Sequence, residues 1–180
     1  FTLAPRINAA GRMENGKLAV DLMRNETSRT KKEQLAARLN QLNMERRSLD
    51  MSTREEALKQ AVEHDAYGAL RSVVVHGEQW NKGVIGIVAS KLMEAYNKPS
   101  IVFAQVGDEF TGSARSIEGV DVHEVLQKCA HLLVRYGGHA MAAGLTLKVE
   151  NLESFRVAFD EEVLKQLPDL PTKKILIDAE

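Results

Sequence analysis

Four short stretches of this sequence carry side chains suited to handling phosphate. The first is Pro5 to Arg12 (PRINAAGR), where Arg6, Asn8 and Arg12 sit among small residues that let backbone approach a ligand. Guanidinium forks match phosphate oxygens in pairs; the plain alternative is a structured loop with solvated arginines. The second, Gly77 to Gly83 (GEQWNKG), places Trp80, Asn81 and Lys82 between a strand and a helix start. Ligands of open α/β sheets favour such places, and helix starts favour anions; alternatively Trp80 closes one edge of the core. In the third, Thr111 to Ser116 (TGSARS), strand alternation puts Ser113 and Arg115 on one face, with Ser116 next to them. A hydroxyl and a guanidinium two residues apart make a compact phosphate clamp, or Arg115 serves a cross-strand ion pair. The fourth, Tyr136 to Gly144 (YGGHAMAAG), sets His139 after Gly137 and Gly138, which permit an unusual turn with the histidine at its tip. His139 could donate to a phosphate or to an attacked oxygen. Otherwise it is a satisfied structural histidine.

Other chemistries lack their residues. No group of Asp, Glu, His or Cys has metal-ligand spacing, so no metal site is expected in this chain. His64-Asp65 reads as a helix end, and Cys129 with His131 does not space as a catalytic dyad. There is no phosphate-binding P-loop, dinucleotide fingerprint or serine nucleophile elbow.

The elements that must position these stretches follow from periodicity. Residues 1–12 read as a loop, with Pro5 holding Ala4 extended. A short helix is expected near 16–24. Thr30 and Glu33 form a capping-box pattern, after which no Gly or Pro interrupts the chain until about His64. Leu35, Leu39, Leu42, Leu49, Leu58, Ala61 and Val62 give that stretch one apolar side, while Arg38, Arg46, Arg47 and Arg54 mark the other. The result is one helix about 50 Å long, read either as solvated on its basic face or as a connector lining an anionic groove. Strands are expected at 72–76, 100–106, 109–116, 142–149 and 174–177, and helices at 83–96, 122–135 and 152–167, with Gly137-Gly138 ending the second of these. The fold class is α/β: a mixed β-sheet flanked by helices, preceded by a long connecting α-helix.

Composition narrows the class further. With 44% hydrophobic residues the chain can bury a core, which argues against wholesale disorder. No apolar run is long enough to span a membrane. A single cysteine excludes an internal disulfide framework and suggests a reducing, cytoplasmic setting. The formal charge is −1, yet residues 1–54 hold 11 of the 24 basic and only 6 of the 25 acidic side chains. The basic share therefore falls on the first stretch and the long helix, where an anionic partner would find it. The chain opens on Phe1 rather than Met, as a piece of something longer would.

Taken together, PRINAAGR, WNKGVIG (80–86), GSARS (112–116) and GGHAMAAG (137–144) resemble the carboxyl-terminal half of DHH-superfamily phosphoesterases. PRINAAGR ahead of a long helix narrows the resemblance to the branch of single-strand-specific 5′→3′ DNA exonucleases, which act in DNA repair and recombination. The resemblance implies a two-lobed enzyme whose amino-terminal lobe holds two Mn²⁺ or Mg²⁺ ions on an Asp-His-His triplet absent here. It divides the chain into the tail of the catalytic lobe (1–29), the connecting helix (30–66) and a DHH-associated substrate-binding domain (67–180). It implies that Arg6 or Arg12, with Asn8, Ser113, Arg115, Ser116, Gly137 and Gly138, hold substrate phosphates. It further implies that His139 faces the scissile phosphate, with Trp80, Asn81 and Lys82 lining the cleft. The implied partners are single-stranded DNA, the missing lobe, and a helicase or single-strand-binding protein, with no membrane. The isolated chain is expected to bind no metal and hydrolyse nothing. An oligoribonuclease or cyclic-dinucleotide phosphodiesterase, or a non-catalytic nucleic-acid-binding module, is the alternative.

Overall fold

The computed structural model describes residues 2–24, 26–65 and 68–169. Its longest element is a helix of 36 residues, Arg29–His64, uninterrupted because nothing in it breaks a helix. The cap is Ser28, whose Oγ accepts from the Lys31 N–H at 3.4 Å, rather than the expected Thr30; Glu33 pairs instead with Arg29 at 3.1 Å. Ser28 has the extended backbone that a cap needs, whereas Thr30 already lies inside the helix.

The stretch expected as a loop is helical. Helix α1 (Ala4–Met13) begins with Pro5 in its first turn, where a missing N–H removes no helical bond and the fixed φ suits the helix. Helix α2 (Lys17–Met23) follows, and the long helix is α3. Near its start α3 buries Leu39 and Leu42 against Ala9 and Ala10 of α1, with Leu18 and Leu22 of α2 packed beside them. Near its end it buries Ala57 and Ala61 against β1 (Val73–Gly77) and α4 (Ile85–Tyr96). Its apolar side thus serves two separate cores, which is what holds α1 beside the sheet. Val62, expected on that side, is 61% exposed.

The sheet continues through β2 (Ser100–Val106) and β3 (Glu109–Arg115), a hairpin around Gly107 at φ 65°. Helix α5 (Val122–Lys128) is capped by Asp121, which accepts from the His123 and Glu124 amides. The helix expected to run to Arg135 stops there. Leu133–His139 is instead strand β4, so Gly137 and Gly138 lie within a strand and His139 closes it. Pairing with β5 (Ala142–Lys148) outweighs the local helical periodicity. Helix α6 (Leu152–Gln166) completes the described chain; the strand expected at 174–177 lies outside it.

The five strands lie in the order β1-β2-β3-β5-β4, with β1 and β2 parallel and the other pairs antiparallel. Val75, Val102 and Ala104 face α4 and the end of α3. Phe103, Phe110 and Leu147 face α5 and α6, where Leu126, Phe155 and Phe159 are fully buried. The fold is thus a mixed sheet between helices, with the long helix ahead of it. No helix among the described residues is long and apolar enough to cross a membrane.

Candidate phosphate-binding site

Strand register brings the third and fourth stretches together. Arg115 lies opposite Ala142 of β5, which lies opposite His139 of β4. One row over, Ser113 lies opposite Gly144, and Gly144 opposite Gly137. Directly paired residues share a face of a sheet, so Ser113, Arg115, Gly137 and His139 look out on the side that carries α4. Gly137 and Gly144 have nothing within 4 Å of where a Cβ would stand, leaving bare backbone on that surface. Gly138 is needed for a different reason. Its φ is 152°, and a Cβ there would collide with the Ala142 carbonyl oxygen. The hairpin tip is tied down: the Ser116 N–H donates to the Met141 carbonyl at 3.0 Å and the Val122 N–H to Ala140 at 2.9 Å.

The centre of the site is Arg115. Its Nη1 donates to Ser113 Oγ at 2.9 Å and to the Ala114 carbonyl at 2.7 Å, which fixes the plane of the guanidinium. Gly86, in the first turn of α4, makes room for it. A Cβ at Gly86 would stand 3.1 Å from Arg115 Nη2 and 3.2 Å from Ser113 Oγ. Arg12, at the end of α1, approaches the loop before α4, where its Nη1 donates to the Gly83 carbonyl at 3.5 Å. A Cβ at Gly83 would collide with the Arg12 carbonyl oxygen, so glycine permits the contact between α1 and this loop. Asn81 shapes the loop by accepting from the Gly83 N–H at 2.8 Å.

Burial lowers the pKa of Arg115, and the charge of Arg12 lowers it further. Neither arginine has an acidic partner among the described residues. Two cations brought together without a counterion, beside the start of a helix, make a seat for an anion. The remaining arginines of this end are accounted for differently. Arg6 donates to Asn40 Oδ1 and the Thr2 carbonyl, and Arg38 pairs with Glu14 and Glu45. Asn8 joins Arg12, Ile87 and Arg46 around one cavity between α1, α3 and α4.

Other expected site residues lie elsewhere or carry structural bonds. Trp80 is 8% exposed; its ring lies over Gly77 and its Nε1 donates to Glu56 Oε2 at 2.8 Å, on the α3 side of the fold. Ser116 is buried and its Oγ donates to the Val120 carbonyl at 2.8 Å. Lys82 is exposed. His139 is exposed too, with Nδ1 accepting from the Met141 N–H at 3.3 Å; that bond leaves Nε2 as the donor of the neutral ring. Gly86 does not stand out as a site residue from its type. The signal for Gly86 is a glycine in a helical pattern, which weakens the helix unless something must come close. Among the described residues no three His, Cys, Asp or Glu side chains come together to hold a metal ion.

Over residues 68–165 the sequence matches the DHHA1 domain, and the chain belongs to that family. Its relatives include the single-stranded-DNA-specific exonuclease RecJ of Bacillus subtilis strain 168, 42% identical over 164 residues, which are 89% of this chain and 20% of that protein. RecJ of Haemophilus influenzae is 35% identical over 94% of this chain and 30% of its own length. Among solved structures, RecJ from Thermus thermophilus in complex with Mg²⁺ superposes with a TM-score of 0.82 at 30% identity, over 92% of this chain and 25% of that one. The exonuclease RecJ bound to manganese superposes equally well, with the match covering 40% of its chain. The chain spans between a fifth and a third of the length of these curated relatives.

Proposed function

We propose that this chain is the substrate-gripping part of a metal-dependent 5′→3′ exonuclease specific for single-stranded DNA. The observation that carries the reading is the pair Arg12 and Arg115, placed without a counterion beside Ser113 and the glycine-opened first turn of α4. Arg115 and Ser113 hold the 5′-terminal phosphate, and Arg12 shares its charge. The bare backbone at Gly137 and Gly144 lets the strand lie close to the sheet, and Gly138 permits the turn of backbone beside it. His139 presents Nε2–H toward the scissile phosphate, where it offsets charge as the bond breaks. The Mg²⁺ or Mn²⁺ ions belong to residues outside this chain, as does the activation of water. With Trp80 buried, its ring offers no platform for stacking bases, and backbone contacts dominate. Binding is then sequence-neutral and strongly salt-dependent. The setting is DNA repair and recombination in the cytoplasm, with a helicase or single-strand-binding protein as a further partner.

The test is Arg115→Ala in the intact protein that carries this sequence. With EDTA present to stop hydrolysis, affinity for a 5′-phosphorylated oligonucleotide is expected to fall about tenfold or more, as loss of a charge-assisted phosphate contact implies. Affinity for the 5′-hydroxyl strand should change little. Equal losses for both ends would rule out the 5′-phosphate seat.

A further inference from the structure

The outer edge of β1 is a part of the sheet that the phosphate seat does not use. The Val73 N–H donates to the Pro99 carbonyl at 2.9 Å, so the backbone of Val73, Val75 and Gly77 faces β2, and that of Ser72, Val74 and His76 faces away. Open strand edges are templates for pairing, and proteins usually blunt them. Two side chains do so here. Asp160 of α6 accepts from the Ser72 N–H at 2.8 Å. Gln60 of α3 clasps His76, accepting from its N–H at 2.8 Å and donating to its carbonyl at 3.0 Å. Val74, between them, has no such clasp among the described residues. One rung of the ladder, an N–H and a C=O, stays open.

That rung meets a cavity of about 280 Å³ between the end of α3 and α6. Ser72, Val73, Val74 and Val75 all border it, and their side chains alternate between the two faces of the sheet, so the edge of the strand itself forms the floor. The α3 wall is apolar at Ala61, which packs on the face of Val73 and Val75. The α6 wall, on the face of Val74, offers the exposed Val157 and then the carboxylates of Asp160 and Glu161. Asp65 and Glu153 also border the cavity, but Lys98 and Arg156 neutralise them, each at 2.7 Å. Asp160 and Glu161 have no cationic partner among the described residues. The groove is therefore apolar on its floor and one wall, and negative on the other.

We propose that this groove docks an extended segment of a partner protein, an aliphatic–basic–aliphatic stretch that adds one antiparallel rung to β1 at Val74. In an antiparallel pair one residue exchanges both bonds with the residue opposite, which is what a single free rung accepts. Directly paired residues share a face, so the residue opposite Val74 points toward α6. A lysine or arginine there lays its stem over Val157 and its charge at Asp160 and Glu161. Its two neighbours point toward α3 and place aliphatic side chains against Ala61. A second copy of this chain does not fit, because its own β1 edge is recessed between α3 and α6 in the same way. The volume lies just below the roughly 300–1,000 Å³ of small-ligand clefts, which suits a few residues of a segment and not a folded surface. The docking site stands independently of the phosphate seat.

The probe is the peptide fluorescein-Lys-Val-Lys-Val-Lys-amide, titrated into the intact protein that carries this sequence and followed by fluorescence anisotropy. Saturable binding is expected. Methylating the amide nitrogen of the central lysine, which donates to the Val74 carbonyl, should weaken binding about tenfold or more. Methylating the amide of the valine that follows, which points away from β1, should leave affinity unchanged. The acidic counterpart fluorescein-Glu-Val-Glu-Val-Glu-amide should not bind. Glu161→Lys and Val157→Ser, both at exposed positions, should each weaken the plain peptide several-fold without lowering Tm. The two methylated peptides need no variant, so the comparison stands even where a substitution disturbs folding. Equal affinity of all three basic peptides would mean adhesion by charge alone and overturns edge pairing. Absence of binding up to millimolar peptide overturns the docking site, as does a dimer of the intact protein that the peptide dissociates, since the groove would then belong to a second copy.

Discussion

Replacing Gly86 by alanine separates the stability of the domain from its grip on phosphate. In α4, alanine gains up to about 1 kcal/mol of helix propensity over glycine, less in a first turn. For a chain of this size a gain of that order raises Tm by about 2–4 °C. The new Cβ, however, would stand 3.1 Å from Arg115 Nη2 and 3.2 Å from Ser113 Oγ, where ordinary contact begins near 3.4 Å. The guanidinium must yield by a few tenths of an ångström. Its Nη1 is anchored by bonds of 2.9 and 2.7 Å, the first to the Ser113 Oγ that the same Cβ crowds, so yielding tilts the fork away from its ligand or breaks one of those bonds. A hydrogen bond to a charged group contributes roughly 1.5–3 kcal/mol, and about 1.4 kcal/mol is a factor of ten in affinity. Gly86→Ala is therefore expected to melt at or slightly above the wild-type temperature and to bind a 5′-phosphorylated strand about tenfold more weakly. Differential scanning fluorimetry and fluorescence anisotropy on the same preparation measure both. Wild-type affinity for the 5′-phosphorylated strand in a variant that melts normally would show that Gly86 does not gate the Arg115 seat.

Two further outcomes concern the frame around the site. Trp80→Phe removes the bond to Glu56 while keeping an aromatic ring over Gly77, so a loss of about 1 kcal/mol in stability with unchanged DNA affinity is expected; a large affinity loss at constant Tm would instead place Trp80 at the substrate. Burial, with the nearby Arg156 guanidinium adding to it, holds the His76 imidazole below its ordinary pKa, and its Nδ1 lies 3.0 Å from Arg156 Nη2. The unfolded chain therefore takes up the proton first, near pH 6.5, so stability is complete above that pH and declines as pH falls toward the lower folded pKa. His76→Gln should flatten the decline in Tm between about pH 7.5 and 5.5, and an undiminished slope would assign it to other groups.

The elements that local chemistry controls were legible in the sequence. The uninterrupted run from Arg29 to His64 had to be helical, and the β-branched runs at 73–75 and 100–103 had to be buried strands. The residue types of the candidate site stand in the sequence too: arginines, a serine and paired glycines suit phosphate before any geometry is known. Misreadings fell where a local signal met a tertiary one. Pro5 disfavours helix for the residue before it in general but is welcome in a first turn, and only the packing of Ala9 and Ala10 against α3 decides between them. Val125, Leu126, Leu132 and Leu133 carry a helical spacing across 122–135, yet β5 offered an edge of hydrogen-bonding partners, and that pairing made β4.

What sequence alone determined is therefore the inventory of parts. Which parts meet was decided by the fold. Arg12 and Arg115 lie far apart along the chain, and no local rule pairs them. They meet because α3 packs α1 at one end and the sheet at the other, because Gly83 and Gly86 leave no side chain in between, and because strand register sets Arg115 level with His139. Charge attracts a phosphate at long range, but a seat for it requires donors fixed in one place, and that fixing comes from packing.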